Sequence, residues 1–124
     1  GTVTPGFPNF FTLYGPNLQP GHGGSLINVI EMQMHYIMDL VRQMAADDIG
    51  SVDILPEVHA AYNERVDAAH ENMVWTHEGM STYYRNDRGR IVANSPYRNV
   101  DCFEWTRNAD LAEYVTEPRQ IPVS

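Results

Sequence analysis

The chain has 124 residues, 43% of them hydrophobic, which excludes a disordered chain and predicts one domain with a modest core. All eight basic residues are arginine, and sixteen acidic residues set the net charge at −8, which disfavours binding to nucleic acid or to an anionic membrane. Cys102 is the only cysteine, so the chain has no internal disulfide framework and no thiolate zinc site.

The first 25 residues predict a strand followed by a glycine-rich turn. The apolar run Phe10–Tyr14 stops at Gly15-Pro16 and predicts a short buried strand. The composition from Asn17 to Gly24 is that of a loop. No basic segment followed by an apolar run is present at the start, which predicts a cytoplasmic protein. An opening glycine in place of methionine predicts a fragment, a trimmed chain or a partly ordered product.

A long amphipathic helix is predicted from Leu26 to about Ala46, with Ser25 as its N-cap. The face predicted to pack inward follows a 3.6-residue period and consists of Leu26, Ile27, Ile30, Met34, Ile37, Met38, Val41 and Met44. The face predicted to meet solvent carries Asn28, Glu31, His35, Asp39 and Arg42. A helix start has unpaired N–H groups and partial positive charge, so it suits a phosphate, a carboxylate or a polar cofactor edge.

The rest of the chain predicts short elements, and Asp47–Ser51 is a boundary before them. They are a helix with Pro56 in its first turn over 57–73, a β-hairpin of 81–85 and 90–93, short helices at 99–107 and 110–114, and an irregular tail from 117. The second helix is predicted to pack through Val58, Tyr62, Val66, Ala69 and Met73. The predicted class is therefore α+β and mainly helical.

Catalytic and metal-binding patterns are weak in this sequence. His70 and His77 lie seven residues apart, without the i, i+4 spacing of a helical zinc motif and without a third ligand nearby. A small metal-dependent hydrolase built on these two residues is kept as a third hypothesis. The segment Gly21–Leu26 fails the G-x-G-x-x-G pattern at its last position, and the chain has no lysine for a P-loop.

A series of short sequence segments in a fixed order is more informative about the family than the spacing of single catalytic or metal-binding residues. The segments are Gly6-Phe7-Pro8-Asn9-Phe10-Phe11, Gly15-Pro16-Asn17, Gly23-Gly24-Ser25 with Glu31 and Gln33, Met73-Val74-Trp75-Thr76-His77, Ser81 with Tyr83-Tyr84-Arg85-Asn86, Gly89-Arg90, and Asn94-Ser95-Pro96. Over roughly residues 1–115, this series resembles the C-terminal third of class B flavin-dependent monooxygenases. More specifically, it resembles the Baeyer–Villiger monooxygenases of the hydroxyacetophenone type.

The resemblance implies an enzyme that binds FAD and NADPH on two Rossmann-like domains and inserts oxygen beside a ketone through a flavin C4a-peroxide. Residues 1–48 would complete the FAD-binding domain, and residues 49–124 would form a C-terminal segment. The implied cofactor-binding residues are Gly15, Pro16, Gly24, Ser25, Leu26 and Ile27. The implied residues of the ketone pocket are Asn17, Gln19, His22 and Trp75.

The family's nucleotide-binding loops and its active-site arginine lie upstream in relatives and have no counterpart in this sequence. We therefore expect the chain alone to be inactive and to hold FAD weakly. The edge of the Phe10–Tyr14 strand predicts a homo-oligomer, or association with the missing nucleotide-binding domains. The alternative is a stand-alone, non-catalytic module that binds a small hydrophobic ligand or a protein partner.

Overall fold

The structure, a computed structural model, describes residues 1–120 and has a mixed α+β fold, as predicted. The elements in chain order are β1 (Gln19–Pro20), α1 (Leu26–Ala46), β2 (Ile49–Ile54), α2 (Pro56–His70), β3 (Asn94–Ser95), α3 (Asn99–Trp105) and β4 (Tyr114–Pro118). Short 3₁₀ turns lie at Val74–Thr76 and Leu111–Glu113. Strands β1 and β3 pair in parallel, and β2 and β4 pair antiparallel.

The apolar segment Phe10–Tyr14 does not form the predicted strand. The φ angles of Asn9 and Tyr14 are +58° and +53°, a left-handed conformation that interrupts extended backbone. Gln33 of α1 fixes this segment instead, because its Oε1 accepts from the Tyr14 N–H at 2.7 Å and its Nε2 donates to the Thr12 carbonyl at 2.9 Å. Within residues 1–120 no strand pairs with this segment, so the edge on which the predicted self-association depended is not formed.

The bounds of α1 agree with the prediction, and the Ser25 hydroxyl caps it by accepting from the Ile27 N–H at 3.1 Å. The predicted inward face is wrong at five of its eight positions, whereas Ile30, Ile37 and Met44 are half-buried. The buried residues of α1 are Val29, Met32, Gln33 and Leu40. Five of the residues predicted to be buried are between 40% and 56% exposed, namely Leu26, Ile27, Met34, Met38 and Val41. The described chain packs against the neighbouring stripe of the helix, where Leu40 meets β2 and β4.

The β2–β4 sheet carries the main core and was not predicted. Val52 pairs with Thr116, and Ile54 pairs with Tyr114, so residues assigned to a helix boundary, a short helix and an irregular tail form strands. The core cluster contains Leu40, Val52, Ile54, Ala109 and Tyr114. The Tyr114 and Tyr36 hydroxyls lie 2.6 Å apart at its margin, and burial raises the pKa of both phenols.

Helix α2 has the predicted proline in its first turn and buries Val66, but it ends at His70 rather than Met73. The Met73 N–H donates to the His70 carbonyl at 3.0 Å, which turns the chain out of the helix. The predicted hairpin is reduced to its turn and one bridge between Arg85 and Ile91. Helix α3 lies within its predicted range. Across residues 1–120, every helix is too short or too polar to cross a membrane.

Candidate functional site at the start of helix α1

The start of α1 is exposed, and its first turn carries no acidic side chain. Gly23 and Gly24 precede it with φ angles of +86° and +108°, which favour glycine. Leu26 and Ile27 are 45% and 56% exposed, and the first turn carries no acidic residue. Within residues 1–120 the N–H groups of Leu26 and Asn28 have no hydrogen-bond partner. The site therefore presents free N–H donors and the positive end of the helix dipole.

The glycine turn is placed by contacts from α3 and from the preceding segment. The Asn99 amide donates to the Gly23 carbonyl at 3.4 Å, and a Cβ on Gly24 would overlap that amide nitrogen. Of the predicted cofactor residues, Gly24 to Ile27 are contiguous at the helix start. Gly15 and Pro16 lie in the turn that follows Tyr14, which Gln33 holds.

Two of the residues predicted for a ketone pocket, Gln19 and Asn17, have different surroundings. Gln19 donates from Nε2 to the Tyr83 hydroxyl at 3.1 Å. Asn17 is 4% exposed, and its amide donates to the Ile91 carbonyl at 2.9 Å and the Asn94 carbonyl at 3.1 Å. The Asn17 amide is therefore committed to the protein interior, whereas Gln19 reaches the surface beside an exposed tyrosine.

Trp75 contacts both His22 and His70, and His70 is 4% exposed at the end of α2. The Trp75 indole N–H donates to His70 Nδ1 at 2.9 Å, and the His22 and Trp75 ring centroids lie 6.1 Å apart. Burial lowers the pKa of His70, and this effect outweighs the opposite one of Asp67. His70 Nε2 lies 3.3 Å from the Asn17 amide nitrogen, so Asn17, His22 and Trp75 are brought together around His70.

Sequence reasoning considered His70 only as a metal ligand and missed this role. Asn17 and His70 are 53 residues apart in the chain, so spacing does not connect them. His70 and Trp75 are five residues apart, so one lies at a helix end and the other in the following turn. This short separation is the sequence feature that could have indicated a contact between them. His77 does not join His70; its ring contacts the carbonyl of Glu78. Residues 1–120 contain no group of three side chains suited to hold a metal ion.

A cavity of about 580 Å³ lies beside this region, between α1, α2 and α3. Tyr36, Tyr62 and Trp105 are among its lining residues. Burial raises the pKa of Tyr62 to about 12, so the neutral phenol is the form that lines the cavity. The cavity volume falls in the range of small-molecule sites.

Comparison with known proteins places these features in a family. The chain is 49% identical over 119 residues to the uncharacterized monooxygenase y4iD of Sinorhizobium fredii, covering 96% of this chain and 18% of that protein. It is 34% identical over 115 residues to a Baeyer–Villiger monooxygenase of Streptomyces coelicolor, covering 92% of this chain and 22% of that protein. The chain belongs to the flavin-dependent monooxygenases.

The chain is also 34% identical over 100 residues to the FAD-binding monooxygenase ktnD of Aspergillus niger, covering 77% of this chain and 16% of that protein. No protein-family model matches the chain. The monooxygenase chain spans about a fifth of the length of the curated relatives it matches, and it corresponds to a C-terminal portion of a flavin monooxygenase. The predicted resemblance to the C-terminal portion of flavin-dependent, Baeyer–Villiger monooxygenases is confirmed.

Proposed function

We propose that this chain completes the flavin site of an FAD- and NADPH-dependent monooxygenase that inserts oxygen beside a ketone. The observation that carries the proposal is the open start of α1, where glycines precede free N–H groups and the first turn lacks acidic side chains. The similarity to proteins named FAD-binding and Baeyer–Villiger monooxygenases supports the choice of ligand. The full enzyme would have the α/β architecture of two dinucleotide-binding domains, with residues 1–48 completing the FAD-binding one.

In this proposal the backbone N–H groups of Leu26 and Asn28 would hold the polar pyrimidine edge of the flavin. Reduced flavin supplies the oxygen-activating chemistry when it is bound. Negative charge at that edge is stabilised by the positive end of α1, which is worth about 0.3–1 kcal/mol or more in a partly buried site. Ser25 leaves those donors available because its hydroxyl uses the Ile27 N–H. Gly24 lets the turn pack closely against α3, since a Cβ there would overlap the Asn99 amide nitrogen.

The exposed stripe of α1 supports association with the nucleotide-binding domains of the same enzyme. Ile27, Met34, Met38 and Val41 lie on this stripe, each at least 40% exposed. Apolar side chains spaced at three to four residues along one helix face usually pack against another element. Since the matched relatives are about five times longer than the chain, we propose that their remaining polypeptide covers this face. Self-association through it is the alternative.

The decisive experiment replaces the matched segment of the Streptomyces coelicolor Baeyer–Villiger monooxygenase with this chain. We expect the chimera to purify with bound FAD, to oxidise NADPH and to convert a ketone to the corresponding ester, measured by visible absorbance and mass spectrometry. The 124-residue chain alone should bind added FAD weakly, because the pyrophosphate and adenine contacts belong to other segments. Tight, stoichiometric FAD binding by the chain alone would contradict this part of the proposal.

Two glycine variants test whether the helix start faces the flavin. Gly24→Ala forces a Cβ onto Asn99 and should displace the turn, lowering the FAD content of the chimera. Gly89→Ala is the matched control, because Gly89 also has a positive φ but has nothing within 4 Å of an added Cβ. Equal FAD content in both variants and the parent chimera would refute the assignment of the helix start.

The cavity between the three helices favours the second candidate, a module that binds a small hydrophobic ligand. Its aromatic lining and the Tyr62 phenol suit a neutral aromatic molecule with a hydrogen-bond acceptor. Titration of the chain with acetophenone, followed by the NMR shifts of Tyr62 and Trp105, distinguishes the two functions. Saturable binding together with a chimera that fails to retain FAD would favour this candidate.

A further inference from the structure

His70, Trp75 and the glycine turn form one continuous set of contacts. Trp75 is 6% exposed, and its ring supports the turn so closely that a Cβ on Gly21 would lie 2.5 Å from Trp75 Cη2. The His22 ring packs on the same indole, and His22 Nε2 lies 3.0 Å from the Pro96 carbonyl. Gly21 and His22 lead directly into Gly23–Ser25, so the indole packs against the segment that precedes α1.

The hydrogen bond between Trp75 and His70 fixes both the indole and the tautomer of the imidazole. An indole N–H can only donate, so His70 Nδ1 must be unprotonated and its proton lies on Nε2. His70 Nε2 lies 3.3 Å from the Asn17 amide nitrogen, and that amide donates to the Asn94 carbonyl at 3.1 Å. His70 therefore contacts the segment Asn17–Ser25 at two places. It contacts Asn17 directly, and it contacts Gly21 and His22 through Trp75.

We propose that His70 is a positioning residue that holds the Asn17–Ser25 loop, and with it the start of α1, in the conformation that receives the cofactor. This inference rests on the proposed function for the meaning of the loop, but its test does not need flavin. If the imidazole were protonated, its Nδ1–H would face the indole N–H of Trp75, and the hydrogen bond between the two side chains would be lost. The charged groups that face the ring are Asp67 of α2 and Arg90 of the following segment.

The test is amide hydrogen exchange of the 124-residue chain by NMR. Two reporter amides lie in the loop and at the cap: the Gln19 N–H donates to the Ala93 carbonyl and the Ile27 N–H to the Ser25 hydroxyl. The Leu55 N–H, which donates to the Glu113 carbonyl at the far sheet, is the internal control. In His70→Gln we expect about tenfold faster exchange at both reporters, because the acceptor for the indole is lost, with no change at Leu55.

His70→Asn is the matched rescue variant, since its Oδ1 lies near the position of Nδ1 and can accept from the indole. We expect wild-type protection of the two reporter amides in His70→Asn. In the wild type, the exchange rate of these amides, corrected for the intrinsic rate, should increase as His70 becomes protonated. In His70→Asn this pH dependence should be lost. Equal acceleration at Leu55 would overturn the proposal, because it would make His70 a general core residue. Unchanged exchange in His70→Gln, or failure of His70→Asn to restore protection, would overturn it as well.

Trp75→Phe supplies an independent arm because it removes the donor and keeps an aromatic ring. We expect the same two reporters to accelerate and the combination with His70→Gln to add little, since both changes break one hydrogen bond. Full additivity would contradict the coupling. If the chimera fails to retain FAD while these exchange results hold, the proposed function fails and the loop contact stands.

Discussion

Leu40 is the residue on which the assignment of the buried face of α1 depends. Its side chain is fully buried among Val52, Ile54 and Tyr114. Leu40→Ala removes buried methyl groups and leaves a cavity in a small core, so we expect a loss of about 3 kcal/mol in the free energy of unfolding. Because domains of this kind are stable by about 5–15 kcal/mol, the change should shift the urea unfolding midpoint strongly, as followed by circular dichroism.

Leu26→Ala is the matched control on the same helix. The chemical change is identical, but Leu26 is 45% exposed at the first turn, so we expect a loss of about 1 kcal/mol or less. The ratio of the two effects identifies the buried face, since periodicity alone predicts Leu26 to be inward. Equal losses in the two variants, measured at matched urea slopes, would refute the packing described for α1.

Two further predictions concern groups at the margins of the core. Tyr114→Phe leaves the Tyr36 hydroxyl without its 2.6 Å partner; we expect a loss of about 1–2 kcal/mol, and the double variant with Tyr36→Phe should cost less than the sum of the two single losses. Burial lowers the pKa of His70 below its unfolded value of about 6.5, so the unfolded state binds more protons and stability should fall as the pH decreases from about 7.5 to about 5. Urea unfolding at each pH checks this, and His70→Asn should reduce the slope; a stability that rises on acidification would contradict the sign.

Local chemistry was enough to predict the helices of this chain. Ser25 as N-cap, Pro56 in a first turn and the apolar period from Leu26 are short-range signals, and the structure agrees with the cap, the proline and the bounds of α1, but not with the face that the period predicted to be buried. The strands could not be predicted in this way. Val52 pairs with Thr116, which lies 64 positions later in the chain, and a strand's stability comes from such pairing rather than from its own composition. The run Phe10–Tyr14 shows the converse, because an apolar segment without a partner strand adopts turns.

The candidate site divides along the same line. The glycine turn and the capped helix start could be identified from the sequence because they depend on residues close together in the chain. The His70–Trp75–Asn17 contacts could not, since they join α2, the following turn and a loop 53 residues away from His70. Asn99, which contacts the glycine turn from α3, was missed for the same reason.

The face of α1 that was predicted to be buried, and that is largely exposed in the structure, provides information about the enzyme we propose. The helix has apolar residues on two adjacent stripes, of which Leu40 and Met32 pack within the chain and Met34, Met38 and Val41 remain exposed. A helix that had only the local core to satisfy would carry charged residues on its second stripe. Apolar residues on both stripes are expected of a helix buried between two bodies of protein. The exposed stripe begins at Ile27, next to the proposed flavin contact, so a polypeptide that covers it would also close the site from that side.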